Sequence, residues 1–238
     1  MALPLLEKRR PRGLWVRRNG RTASPSLLTI RLSALPMLRK NAAKDWQNYY
    51  QMTGDRPPRE TLMEALSRFD NEEAVGRAVD LGCGNGRDTI EILRRGWSVL
   101  AIDAQASAIE TLKKRPELDE LKTMLVTKVS RFENAIWSGV DFVNSSFALP
   151  LCRKTDFLDI WQRIYDSLRS GGRFSGQLYG DRDEWAGNPS NTHFTPSEVQ
   201  TLIGHYDVEK FWEEETDSVT PRGRPKHWHI YHIVARKP

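Results

Sequence analysis

The stretch Ala78-Val79-Asp80-Leu81-Gly82-Cys83-Gly84-Asn85-Gly86-Arg87-Asp88 constrains this chain more than any other. Ala78 to Leu81 read as a short buried strand; alternate glycines follow, and then a helix carrying Ile90, Ile92 and Leu93. At Gly82, Gly84 and Gly86 no Cβ holds a ligand away from the backbone, so the loop permits close approach. A second strand, Ser98 to Asp103, ends in a carboxylate 17 residues beyond Gly86. From there an acid accepts both hydroxyls of a ribose. Strand, glycine loop, helix and strand in that order predict an α/β fold.

The spacing separates this loop from other nucleotide sites. Read from Gly82, the dinucleotide fingerprint G-x-G-x-x-G puts Arg87 at its third glycine; read from Gly84, it puts Thr89 there. No Gly-Lys-Ser/Thr follows, so a P-loop is excluded. S-adenosylmethionine needs no pyrophosphate cradle, and Asp80 at the strand end suits the ammonium of its amino-acid tail. Asp80 to Gly86 resembles the first motif of class I S-adenosylmethionine-dependent methyltransferases, with Asp103 at their second. The similarity runs from about Trp46 to Lys237. Within the superfamily the chain is similar to compact bacterial small-molecule enzymes of the tellurite-resistance and thiopurine-methyltransferase kind. The first motif is specific to the superfamily, and nothing in the sequence is specific to a substrate.

The resemblance implies a Rossmann-like, seven-stranded mixed sheet, mostly parallel with the last strand antiparallel, and helices on both faces. It implies that Asp80, Gly82, Cys83, Gly84, Gly86, Asp103 and Ala104 hold the methyl donor. Met124 to Phe132 reads as the third strand, and the family would place adenine contacts at Phe132 and Glu133; Phe132 equally suits the core. Val140 onward is the fourth strand by the same resemblance, with Asn144, Ser145 and the residues to Phe147 where donor and acceptor meet. Ligands of open α/β sheets bind at such carboxyl ends. The segment departs from the Asn/Asp-Pro-Pro-Tyr motif of amide and adenine methylation, and Cys152 lacks the Pro-Cys context of a cytosine-C5 nucleophile.

Downstream, Phe157, Ile160, Trp161, Ile164, Tyr165 and Leu168 recur at helical spacing and predict a core helix ended by Ser170-Gly171-Gly172. Arg173 to Tyr179 reads as the fifth strand. Gly180 to Trp185 is expected to be a solvated acidic loop, the alternative being a metal or general-base site. Thr195-Pro196-Ser197-Glu198 is a capping box, and Val208 to Glu215 with His227 to Ala235 form a terminal hairpin. Alternation puts His227, His229 and Tyr231 on one face and Trp228, Ile230 and His232 on the other. Without a third ligand nearby in sequence, no metal is expected. Arg222-Gly223-Arg224 is read as a flexible tip.

The net charge of +5 hides an asymmetry. Residues 1–40 hold ten Lys/Arg against one acid, while the rest holds 26 against 30. Residues 1–40 are therefore read as a basic, disordered extension, with a transit peptide or a polybasic contact as alternatives, and 41–238 as the methyltransferase domain. The mildly acidic body argues against a nucleic-acid partner. Two cysteines exclude a disulfide framework and suit the cytoplasm, and no apolar run approaches the ~20 residues of a membrane span. Trp46, Tyr49 and Tyr50 share a helical face and serve either as packing or as a lid. The expected activity is methyl transfer to a small-molecule acceptor. An RNA or protein methyltransferase using the basic arm, and a non-catalytic domain that binds the donor, are the alternatives.

Overall fold

A computed structural model describes residues 46, 48–50, 52, 53 and 56–238 of the chain. The basic stretch 1–40 lies outside the described residues. The sheet is laid down by β1 (Arg77–Leu81), β2 (Ser98–Asp103), β3 (Leu125–Val129), β4 (Val140–Ser145), β5 (Leu168–Gly180), the two-residue β6 (His193–Phe194), β7 (Asp207–Val219) and β8 (Pro225–Arg236). Between them run α1 (Glu60–Asn71), α2 (Arg87–Arg94), α3 (Ala106–Lys113), α4 (Lys154–Ser167) and α5 (Pro196–Ile203). The spatial order is β3-β2-β1-β4-β5-β8-β7, with β6 paired beside the end of β5. Strands β1 to β5 are parallel to one another, and β8 is antiparallel to both β5 and β7. Seven strands with an antiparallel last member match the expected sheet, to which β6 is a short addition.

Each face of the sheet carries its own core, as the alternation of strand side chains requires. Val79, Leu81, Val143 and Phe174 point to one side and pack with Ile160 and Ile164 of α4 and Val199 and Ile203 of α5. Ala78, Val99, Ala101 and Phe142 point to the other and pack with Leu62 and Leu66 of α1, Ile90 and Leu93 of α2, and Leu112 of α3. The capping box forms as read: Thr195 accepts from the Glu198 amide while Glu198 accepts from the Thr195 amide. No helix among the described residues is long and apolar enough to cross a membrane.

One boundary differs from the sequence expectation. Helix α4 stops at Ser167, and Leu168 is already extended and paired with Val140. Gly171 and Gly172 therefore do not end the helix; they sit in an irregularity within β5, where the register against β4 shifts between Val140 and Phe142. A Cβ on Gly172 would come within 2.9 Å of the Arg169 and Asp141 carbonyl oxygens, and Gly171 has φ of +80°. The glycines thus let the chain bulge against its neighbour.

The order of strands reverses direction between β1 and β4. That switch point opens a crevice at the carboxyl ends of the strands.

Candidate active site

Three turns meet in the crevice. After β1 the chain passes through Gly82, Gly84 and Gly86, all with positive φ, and Gly86 is the left-handed residue that starts α2. Gly82 and Cys83 donate to the Ile102 carbonyl, which ties the glycine loop to the end of β2. After β2, the Asp103 carboxylate accepts from the Gly84 amide at 2.9 Å and from the Gln105 amide at 2.7 Å. Burial raises the Asp103 pKa, and those amides with the Tyr50 hydroxyl oppose the rise. After β4, Phe147 takes φ of +56°, a conformation unfavourable for a bulky residue; its amide donates to Oε1 of the buried Gln177.

These turns wall a cavity of about 920 Å³ and, beside the glycine loop, a recess of about 50 Å³. Both are lined by Tyr49, Tyr50, Arg59, Gly82 and Ser146. Of the residues expected to hold the donor, Asp103, Ala104, Phe132 and Glu133 line the large cavity, and Asp80, Cys83 and Gly84 line the recess with Gly82. Gly86, Asn144 and Ser145 line neither. Gly86 packs under Leu112; Asn144 is buried, donating to Asp80 and accepting from Ser175; the Ser145 hydroxyl donates to the Leu81 carbonyl. Their place is behind the wall, where Asn144 and Ser145 hold β4 against β1. Phe132 lines the cavity while packing partly against the core.

Asp80 is more enclosed than its assigned contact with an ammonium suggests. Its two oxygens accept from Thr89 at 2.6 Å and Asn144 at 2.9 Å. Burial, reinforced by Asp88, pushes its pKa up to about 7. Cys83 and Cys152 are buried free thiols whose pKa values burial raises, so both stay protonated.

The aromatic residues before α1 lie over the site. Tyr50 donates to Asp103 at 3.3 Å, and a Cβ on Gly84 would come within 2.7 Å of the Tyr50 ring. The rings of Trp46, Tyr49 and Tyr50 pack on one another. They cover the glycine loop, and Tyr50 holds the carboxylate that the ribose hydroxyls would need.

The opposite wall comes from the terminal hairpin and the turn after β5. Trp228, Ile230 and His232, which share one face of β8 as alternation gives, line the cavity. His232 stacks flat on Trp212, with centroids 4.3 Å apart, and its Nε2 lies 3.0 Å from Glu214. Burial lowers the His232 pKa and Glu214 opposes that. The turn after β5 departs from the solvated loop expected. Asp183 is buried and paired with Nζ of the equally buried Lys226 at 2.5 and 2.6 Å. The ammonium lies 3.6 Å from the Trp228 ring centroid and 4.3 Å from that of Trp185. Arg222 and Arg224, in the tip between β7 and β8, also line the cavity.

Beyond the far face of the hairpin, Glu213, Glu215 and His229 bring possible ligand atoms within 4.8 Å of one another. The Arg182 guanidinium occupies that cluster, donating to Glu213 at 2.7 Å and to Glu215 at 2.8 Å.

Sequence reading missed Arg59, His232, Glu214 and Lys226 as wall residues. Arg59 carries a local signal, since it follows Pro57-Pro58 at the start of a helix; the others are brought in by strand pairing alone.

The residues present fit an adenosine carrying a charged amino-acid tail. The backbone at Gly82 and Gly84 lines the recess, and Cβ atoms there would meet the Ala148 side chain and the Tyr50 ring. A carboxylate stands at the ribose position, and a guanidinium with a buried, unpartnered Nε faces the recess.

Comparison with known proteins agrees with this geometry. Residues 78–172 match the family described as "Methyltransferase domain". A trans-aconitate 2-methyltransferase of Rhizobium rhizogenes is 31% identical over 128 residues, covering 52% of this chain and 44% of that protein. The chain thus aligns with less than half the length of that relative. Among solved structures, TehB from Haemophilus influenzae superposes with a TM-score of 0.63 at 18% identity, covering 74% of this chain and 62% of that one. A Burkholderia thailandensis 1,6-didemethyltoxoflavin-N1-methyltransferase, solved with its substrate and S-adenosylhomocysteine, gives 0.58 at 17% identity, covering 90% and 93%. At these identities the likeness to the solved structures is one of fold.

Proposed function

We propose that the chain is a class I S-adenosylmethionine-dependent methyltransferase, a reading supported by the methyltransferase-domain match at residues 78–172 and by the shared fold, and that it transfers a methyl group from S-adenosylmethionine to a small-molecule acceptor. The observation that carries this reading is the joining of two spaces at shared walls. A recess on the glycine loop suits the amino-acid tail, and a cavity of about 920 Å³ has room for the nucleoside and an acceptor. The covering rings of Tyr49 and Tyr50 and the hairpin tip at Arg222 and Arg224 enclose that cavity from two sides, which favours a small acceptor over a polymer. The relatives whose names specify acceptors, trans-aconitate and 1,6-didemethyltoxoflavin, act on small molecules.

In this reading Asp103 accepts the ribose hydroxyls once Tyr50 gives up its hydrogen bond. Phe132 packs on the adenine and Glu133 meets its edge. Asp80 and the Gly82 to Gly84 backbone surround the tail, and Ser146 and Phe147 stand beside the reacting centre. The donor supplies a methyl group already activated on a sulfonium. The protein therefore has to hold an acceptor atom on line and keep water out, and orientation of that kind supplies roughly 7–11 kcal/mol of a barrier. The two free cysteines favour a cytoplasmic setting for this chemistry, with residues 41–238 as the working domain.

The test is calorimetry with S-adenosylhomocysteine together with an untargeted screen of cell extract using labelled methyl donor. Micromolar binding, weakened about tenfold to a hundredfold by Asp103→Ala, and label in small molecules are the expected results. Label in RNA or protein instead would favour a polymer-modifying enzyme; binding without any labelled product would favour a non-catalytic domain.

A further inference from the structure

Arg59 stands one residue before α1, and its guanidinium lies over the Phe147 ring, 4.4 Å from the centroid. It walls both the large cavity and the glycine-loop recess. Its Nε is buried without a hydrogen-bond partner, and among the described residues no carboxylate pairs with its side chain. The nearby acid, Asp88, is already engaged: Oδ1 accepts from Arg87 Nε at 3.1 Å and from the Arg59 backbone amide at 3.3 Å. Burial and the neighbouring Arg87 both press on the Arg59 charge, while Tyr49 and Asp88 oppose them. A guanidinium does not escape such a site by losing its proton. A partly buried cation with no anion is costly, and the cost is relieved when a ligand brings one.

The recess decides which anion fits. Arg87, the other cation lining it, is spent on Asp88. The same recess is lined by Asp80 and by Gly82 to Gly84. A recess lined by both a carboxylate and an unpaired guanidinium matches a zwitterion, with its ammonium toward Asp80 and its carboxylate toward Arg59. The planar fork of arginine offers two parallel donors to a carboxylate, which a lysine at this position would not reproduce.

We propose that Arg59 binds the α-carboxylate of the methionine tail of the methyl donor, an inference that rests on the donor reading given above. Phe147 serves it by carrying the flat guanidinium, which explains a strained aromatic residue at the end of β4. The same chemistry could be met by a carboxylate on the acceptor, and the two sources separate experimentally.

The experiment is calorimetric titration of the full-length protein with S-adenosylhomocysteine and with its decarboxylated analogue, S-adenosyl-3-thiopropylamine. Wild type is expected to bind the carboxylated ligand about tenfold to a hundredfold more tightly, as suits one charge-assisted contact. Arg59→Met should erase that difference while leaving the analogue at its wild-type affinity, and Arg59→Lys should restore part of it. Equal weakening of both ligands by Arg59→Met would overturn the proposal in favour of a structural role. Unchanged S-adenosylhomocysteine binding would overturn it in favour of an acceptor anion. A wild-type protein that binds neither ligand would instead overturn the donor reading itself.

Discussion

Asp80 and Gly82 show how much of the site is decided by single side chains. Asp80 is held out of water, and its pKa is pushed up to about 7 by burial and by Asp88, against the hydrogen bonds from Thr89 and Asn144. Because the folded value lies above the ordinary carboxylate one, the native state binds this proton more tightly than the unfolded chain. Its contribution to stability is therefore full below about pH 4 and is lost as the pH rises through about 7. Urea unfolding of wild type and Asp80→Asn between pH 5 and 8 should show the wild type losing ground to the variant as pH increases; parallel curves would refute this. Gly82 is set by sterics rather than charge. Its φ is +75°, and a Cβ there would clash with the Ala148 side chain. Gly82→Ala should cost about 1–3 kcal/mol and weaken S-adenosylhomocysteine binding. Gly187→Ala, where the added carbon meets nothing within 4 Å, should stay within about 0.5 kcal/mol of wild type in the same denaturation assay.

Elements are joined across the acceptor wall by ion pairs that the chain hides. Lys226 near the start of β8 and Asp183 in the turn after β5 bury one another among the rings of Tyr179, Trp185 and Trp228. Farther back along β5, on the same face of the sheet, Arg173 clamps Glu72, just past α1, and Glu209 of β7, with its guanidinium over Phe69. Such pairs fix geometry more than they add stability, since desolvation offsets most of their attraction. Losing one partner is different, because an uncompensated charge is left behind. Lys226→Met should therefore destabilise by about 3–5 kcal/mol in chemical denaturation, and adding Asp183→Leu should recover much of that. A double variant no more stable than the single one would show that the aromatic box, and not the charge, depends on the lysine. The flat stack of His232 on Trp212 ties β7 to β8 in the same wall.

At the scale of the molecule, the two cores on either side of the sheet are built from described residues between Leu62 and Ala235. Charge divides the same way, with the excess of Lys/Arg confined to the first 40 residues. Residues 41–238 alone are expected to keep the wild-type melting temperature and S-adenosylhomocysteine affinity, with no change in their salt dependence. A loss of affinity on truncation would make the basic stretch part of the site.

Sequence by itself determined what depends on neighbours along the chain. The β1–glycine–α2 turn, the acid closing β2, the capping box at Thr195 and the two faces of β8 follow from local periodicity and from the backbone freedom of glycine. The boundary at Leu168 escaped it, because Gly171 and Gly172 end a helix or release a bulge equally well until β4 is beside them. Tertiary structure alone decided that Tyr50 reaches Asp103, that Arg59 rests on Phe147, and that Asp183 is buried against the wall residue Lys226 rather than in solvent. Those contacts join residues 43 to 88 positions apart. Nothing in short-range spacing encodes them; they exist because strand order and the crossing of α1 bring distant turns to one end of a twisted sheet.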